Sequence, residues 1–531
     1  AFDLFNVIYD EAWEIAHSTD DAVKAAETFA PFVTFVATFS DKAAFLCAVP
    51  KLIIERNLHG IDIDSRAAQI AGLSLWLRAQ RAWHEAGVKP ADRPRITRSN
   101  LICAEPMPGE KELLREFVEK QFQVGERPAF AFLLEKIFDR MALAGEAGSL
   151  LRIEEEIRSA IADAKRLWKQ GPKAEQAPLF AELNVKVVQG ELRLDLSGIT
   201  DEQFWELAEQ RIYDALEAYA GQTENSGGFQ RSLFANDAAQ GFAFIDLCRK
   251  RYDVVVMNPP FGAASKHLQD LLREKGFHNR DLASDFLTNA ARMAVSGGIV
   301  GAITTRTIFF LKGFADWRDW MVNQVGGPRC FLDIGFGVLD AAVEASALTF
   351  EVGAGRFYGS YRKALGLSAI LESGGASTFA DCPEFTVDAS SFKQLPRHPF
   401  AYWVSKKMLR AFGTLPCIGE RYSVLSGGNP RDDFRFIRHW VETPTGETQD
   451  FVHYSKGGEF ALYYHDVHLQ LQWKDDGREL KVQAADYRQS LGWSPDWRAL
   501  MMNYEHYFSP GITWPRRTSR LSFRFLPKGV S

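Results

Sequence analysis

An amide, two prolines and an aromatic ring follow one another at Asn258-Pro259-Pro260-Phe261, directly after the apolar run Val254–Met257. Two consecutive prolines remove two backbone donors and fix φ, so neither helix nor strand continues through them. The stretch reads as a rigid loop at a strand end. Asn258 offers a carbonyl acceptor to an amino group, the Pro259 carbonyl offers a second, and Phe261 offers a flat face. That set suits a planar ring bearing an exocyclic amine, such as adenine turned out of a duplex. The alternative is a proline-terminated strand whose ring packs into the core. The rarity of the four-residue pattern and its place after an apolar strand favour a site.

Such a loop needs a sheet behind it. Helix-like and strand-like segments alternate from Leu58 to about residue 355, which predicts a mainly parallel, doubly wound α/β sheet. In such sheets ligands sit beyond the carboxyl ends of the strands. Leu58–Ile63 reads as a short strand and Ser65 to about Trp83 as a helix, with Ser65 as its N-cap. Asp62 then stands at a strand end, where a carboxylate can accept both hydroxyls of a ribose, while Asp64 is a charge favoured by the helix start. Asp281 reads as an N-cap or first-turn charge. Arg306, after the strand "GAITT", is either a phosphate contact or a surface arginine.

Residues 109–220 are expected to be a helical insertion, read as amphipathic surface helices with a hairpin in "NVKVVQGELRLDLSG". Gly, Ser and Pro crowd residues 366–398, which predicts a linker between a first domain (1–365) and a mixed, β-containing second domain (399–531). The second domain's tail carries Arg516, Arg517, Arg520, Arg524 and Lys528 among Trp514, Phe523 and Phe525. Arginines between aromatics suit phosphate and base contacts, and also an ordinary solvated strand.

Composition sets wide limits. The 531 residues carry a net charge of −6, which neither requires nor excludes nucleic acid, since a local basic face can bind DNA. Six cysteines stand singly, with no C-x-x-C pair, arguing against structural zinc and a disulfide framework. There is no apolar run of membrane-spanning length and no signal peptide, so a cytoplasmic setting is expected.

"NPPFG" resembles the catalytic motif of amino-methylating DNA methyltransferases of the N6-adenine class. "NLHGIDIDSRAAQIAGLSLWL", "NLICAEPMPGEKELL", "GRELK" and "GITWPRRTSR" resemble the large adenine methyltransferases of phage-defence systems, the PglX group of BREX and related Eco57I-like enzymes. The resemblance implies a Rossmann-like class I methyltransferase sheet followed by a target-recognition domain. It implies S-adenosyl-L-methionine as methyl donor, base flipping in double-stranded DNA, and other defence proteins as partners. It also implies a catalytic loop Asn258, Pro259, Pro260 and Phe261; cofactor contacts from Asp62, Ile63, Asn100, Leu101 and Asn258; and DNA contacts from Phe261, Leu339, Arg516, Arg517 and Arg520.

Asn100 reads equally as a simple turn residue, and Leu339 stands where relatives often have an aromatic. The family's acidic-x-x-x-Gly-x-Gly turn after the first strand is not found, so the sequence is expected to be a fragment that begins after it. Competing expectations are a catalytically impaired, methyltransferase-like DNA-recognition subunit, or N-methylation of RNA or of a protein glutamine.

Overall fold

The computed structural model describes the chain apart from residues 19–28, 107–110, 123–126, 171–185, 189–190, 194–200, 221–227, 278–280, 338–342, 354, 356–357, 366–381, 444–449 and 516–519. It divides into two compact units, Ala1–Gly413 and Thr414–Ser531.

The first unit holds strands β1 (His59–Asp62), β2 (Asn100–Cys103), the hairpin β3–β4 (Lys186–Val188, Glu191–Arg193), β5 (Tyr252–Met257), β6 (Ala294–Thr305), β7 (Cys330–Gly335), β8 (Ala345–Glu351), β9 (Tyr358–Lys363) and β10 (Glu384–Asp388). Six of them form one sheet in the order β10-β9-β7-β8-β6-β5, and β1 and β2 form a separate parallel pair. The expectation of a mainly parallel sheet holds only in part. β5–β6 and β7–β9 are parallel, but β8 runs antiparallel to both β6 and β7, and β10 antiparallel to β9. Only nine residues separate β7 from β8, which allows an antiparallel neighbour without a crossover helix.

Among the described residues β5 pairs only with β6, and β1 only with β2, so each keeps one open edge there. Val254 and Val256 of β5 are 58% and 79% exposed. Apolar, β-branched residues of this kind usually lie covered in α/β sheets.

Local sequence fixes the helices flanking the strands. The helix Ser65–Glu85 is capped by Asp64, whose carboxylate accepts from the Arg66 amide, so the cap lies one residue before the expected Ser65. Asp281 caps Leu282–Met293 by accepting from the Ala283 amide, and Ser265 caps Lys266–Glu274. "Ser-Gly-Gly" at 296–298, a sequence that could close a helix, lies inside β6. A side chain at Gly298 would stand 3.1 Å from the Tyr252 and Asp253 carbonyl oxygens, so glycine lets β6 run against β5.

One core packs the helices Leu282–Met293 and Ala315–Trp320 onto the large sheet, through Leu287, Phe309, Trp317, Met321 and Phe331. The insertion is not a set of surface helices. Phe130, Leu133 and Ile157 are buried in one cluster with Phe242, Ile245, Leu268 and Leu272, which flank β5. Its amphipathic stripes close onto one another and onto the sheet's own helices, a reading that periodicity alone cannot distinguish from a surface stripe.

The expected linker at 366–398 also changes. Its described part contains β10, paired with β9, and Phe392, Phe400 and Tyr402 belong to the sheet's core. Arg318, fully buried, donates to the Ile308, Leu311, Arg397 and His398 carbonyls and fastens this segment down. Burial lowers its pKa to about 10. The unit boundary consequently falls at residue 413.

The second unit has a three-stranded antiparallel sheet of β11 (Ile437–His439), β13 (Leu469–Gln472) and β12 (Phe451–Tyr454), a helix at Lys474–Ser490, and the antiparallel pair β14 (Gly511–Thr513) and β15 (Arg524–Leu526). Its core is Phe436, Leu471, Trp473, Leu480 and Met501.

Candidate active site

The loop after β5 is held from several sides. Pro259 is buried while Asn258 is exposed, so the ring anchors the loop and the amide stays free for solvent or ligand. Gly262 adopts φ +102°, a left-handed turn suited to glycine, and its carbonyl accepts from the Leu282 amide at 2.9 Å. The loop is thereby tied to the start of the helix that Asp281 caps. Burial raises the Asp281 carboxyl above the usual range, partly offset by the Ala283 and Gly262 amides. The helix-cap reading of Asp281 accounts for its contacts.

The open edges of β1 and β5 face a common cleft of about 630 Å³. His59 through Ile63 line one side and Val254 through Pro260 the other, with Phe286, Ala290 and Met293 from the helix behind. Consecutive residues of each strand reach the cleft because its walls are strand edges rather than strand faces. At its mouth stand Asp62, at the carboxyl end of β1, and Asn258, at the carboxyl end of β5. One Asp62 oxygen accepts from the Asp64 amide at 2.9 Å. At the opposite end the His59 and Tyr252 rings meet edge to face at 5.3 Å. Burial pushes the His59 imidazole below its usual range and the Tyr252 phenol above it, so both rings are neutral near pH 7.

Asp62, Ile63, Asn258, Pro259 and Pro260 therefore line one cavity. Phe261 is half-buried beside them. Asn100 and Leu101 do not join this group. Asn100 opposes His59 in the β1–β2 register, at the far end of the strand from Asp62, and its amide nitrogen donates to the Glu55 carbonyl. The residues of β2 that reach the ligand end are Cys103 and, beyond it, Ala104. Burial pushes the Cys103 thiol up to about 11, helped by Glu105.

Arg306 is half-buried and engaged within its own unit. Its Nε donates to Asp333 at 2.6 Å, its Nη1 to Glu344 at 3.2 Å, and its guanidinium lies 4.3 Å from the centre of the Phe310 ring. In the second unit Arg524 is 2% exposed and bound to Ser522 and the Glu459 carbonyl, so it belongs to the unit's interior. Arg520 lies on the surface, 5.8 Å from the Phe460 ring centre. Leu339, Arg516 and Arg517 lie outside the described residues.

Sequence reasoning missed one wall. Glu146, Gly148 and Ser149 of the insertion line the same cleft. The signal was present in "AGEAGSLLR", where Gly145 and Gly148 interrupt an otherwise helical run.

A strand-end loop of Asn-Pro-Pro facing a carboxylate across a cleft is the geometry against which relatives can be compared. The model of the Eco57I restriction-modification methylase family matches residues 56–326, just over half of the chain. The chain belongs to that family. It is 23% identical over 507 residues to the adenine-specific methyltransferase BrxX of Escherichia coli O9:H4 (strain HS), covering 91% of this chain and 36% of that protein. It is 22% identical over 511 residues to the adenine-specific methyltransferase PglX of Lacticaseibacillus casei (strain Zhang), covering 90% and 36%. The chain thus spans about a third of the length of these relatives. Among solved structures, the Type IIL restriction-modification enzyme MmeI in complex with DNA aligns over 85% of this chain and 66% of its own, at 12% identity and a TM-score of 0.33.

Proposed function

We propose that this methylase-family chain carries the catalytic unit of a DNA (adenine-N6) methyltransferase that uses S-adenosyl-L-methionine, within a phage-defence or restriction-modification system. The observation that carries the proposal is the placement of Asn258-Pro259-Pro260 at the carboxyl end of β5, lining one cleft with Asp62 at the carboxyl end of β1. A ribose would be held by the Asp62 oxygen not taken by the Asp64 amide, above the exposed Ile63 side chain. When bound, the sulfonium cofactor would supply an electrophilic methyl group.

The chain's own part is to hold the amine. The Asn258 side-chain carbonyl and the Pro259 backbone carbonyl accept the two N–H bonds of the adenine amine. That turns the nitrogen lone pair out of the ring plane and toward the attack line. Phe261 stacks on the base, and the proline-fixed loop spends no free energy on ordering at the moment of transfer. The extra proton on the methylated nitrogen then leaves to solvent or to a neighbouring acceptor.

The second unit is proposed to read the target sequence. Exposed Trp514, Phe523 and Phe525, with Arg520 beside Phe460, support a nucleic-acid role, while burial removes Arg524 from it. Methylation-sensitive sequencing of DNA from cells expressing the full-length protein, or its Asn258→Ala variant, tests the proposal. A sequence-specific N6-methyladenine signal that the variant abolishes is expected. Unmodified DNA in wild-type cells would refute it.

A further inference from the structure

The turn Ala144–Ser149 of the insertion touches the loops that follow three strands. A side chain at Gly145 would begin 3.4 Å from Pro106 and 3.8 Å from the Ala104 carbonyl, so this glycine packs on the loop after β2. A side chain at Gly148, whose φ is +50°, would begin 3.7 Å from Ile63 beyond β1 and 4.0 Å from Phe286 behind β5. The Ser149 carbonyl accepts from the Asn289 amide nitrogen at 2.9 Å, and Asn289 is itself buried.

Glu146 makes the contact that matters for the catalytic loop. Its Oε2 accepts from the Ser265 hydroxyl at 3.0 Å, across 119 residues of sequence. Ser265 lies four positions after Phe261, and its Oγ in turn accepts from the Leu268 amide at 3.2 Å as the N-cap of Lys266–Glu274. A hydroxyl has one proton and two lone pairs. With the proton given to Glu146, a lone pair must face Leu268. The carboxylate thus sets the cap, and the cap sets where residues 258–265 end.

Resting on the methyltransferase reading, we propose that Glu146 is a positioning residue for the reaction, acting through Ser265 to fix the Asn258–Phe261 loop. The insertion is then part of the active site's construction, and its role is to accept a hydrogen bond rather than to supply charge.

The test uses the full-length protein, duplex DNA and S-adenosylmethionine. Glu146→Ala and Ser265→Ala should each lower kcat about tenfold through misplacement of the loop, with the KM for cofactor changed less than about twofold. Glu146→Gln keeps a carbonyl acceptor and should restore kcat to within about twofold of wild type. The double alanine variant should be no slower than Ser265→Ala, which already removes both the bond to Glu146 and the cap on Leu268. A kcat for Glu146→Ala within twofold of wild type overturns the proposal, as does a multiplicative double variant. A Glu146→Gln variant as slow as Glu146→Ala would mean that charge is what counts, and also overturns it.

Hydrogen exchange separates this inference from the reading beneath it. Glu146→Ala should speed exchange of the amides at 266–269 whether or not the wild-type protein methylates adenine. Unchanged exchange there sinks the positioning role alone, whereas an inactive wild type with faster exchange in the variant sinks the assigned reaction alone.

Discussion

Replacing Arg306 by alanine should destabilise the first unit sharply without touching DNA affinity. Asp333 is fully buried in β7 and has two donors, Arg306 Nε at 2.6 Å and the Tyr402 hydroxyl at 2.8 Å. Glu344, the other carboxylate on Arg306, is 40% exposed at its side chain and water can satisfy it. The loss therefore falls on Asp333, which would keep one neutral donor and no cation. Removing one partner of a buried pair costs about 3–5 kcal/mol. Tyr402→Phe removes a single bond to a charged group and should cost about 1.5–3 kcal/mol.

Arg306→Met combined with Asp333→Leu replaces the whole pair by apolar groups and should recover much of the Arg306→Ala loss. Urea unfolding followed by circular dichroism gives the midpoint shift, compared between variants because a chain of two units need not unfold in one step. DNA binding at several salt concentrations supplies the control. If Arg306→Ala unfolds at the wild-type midpoint yet binds DNA with a shallower salt dependence, the side chain meets phosphate and the reasoning fails.

Asn258→Ala should abolish methyl transfer while leaving duplex binding near wild type, a loss on the order of 2–4 kcal/mol of transition-state stabilisation; single-turnover methylation against gel-shift affinity checks it. Phe261→Ala should weaken capture of the flipped base by roughly 1–3 kcal/mol, read with a fluorescent base analogue at the target. The chain should bind S-adenosylmethionine weakly, because among the described residues no backbone pairing joins β1 to β5; micromolar affinity by calorimetry would contradict this. His59 has its pKa lowered in the folded state by burial. Its contribution to stability is therefore complete above about 6.5, the unfolded value, and is lost as pH falls through the lower folded value. His59→Phe should flatten the stability profile below pH 6.5, and an unchanged acid limb would count against the buried ring.

Some of this was readable from residues alone. Two prolines after Val254–Met257 can only end a strand, and Asp62 before a helix start can only stand at a strand's carboxyl end, so the two strand-built walls of the cleft were visible. Asn100 was not, because register decides which end of β2 it occupies, and register depends on pairing partners far away in sequence. Arg306 looked exposed because its acceptors, Asp333 and Glu344, lie 27 and 38 residues away. Glycine and serine between residues 366 and 381 resemble a linker, while the compact unit runs on to residue 413 through β10 and Arg318's four carbonyl acceptors. Glu146 was hidden inside a stretch whose helical composition says nothing about what its two glycines touch.

The divided sheet bears on how the first unit comes apart. A continuous sheet melts as one body because every strand is hydrogen-bonded to the next. Here the pair β1–β2 and the six-stranded sheet share no backbone bonds among the described residues, and are joined through packed helices and the His59–Tyr252 rings. Neither ladder supplies backbone bonds to the other, so what couples them is side-chain packing, with Ile61 and Ile102 lying against the core of Phe242, Ile245 and Leu268. The carboxylate at Asp62 sits at one ladder and the amide at Asn258 at the other. Their relative placement is therefore set by that side-chain packing and not by a shared ladder.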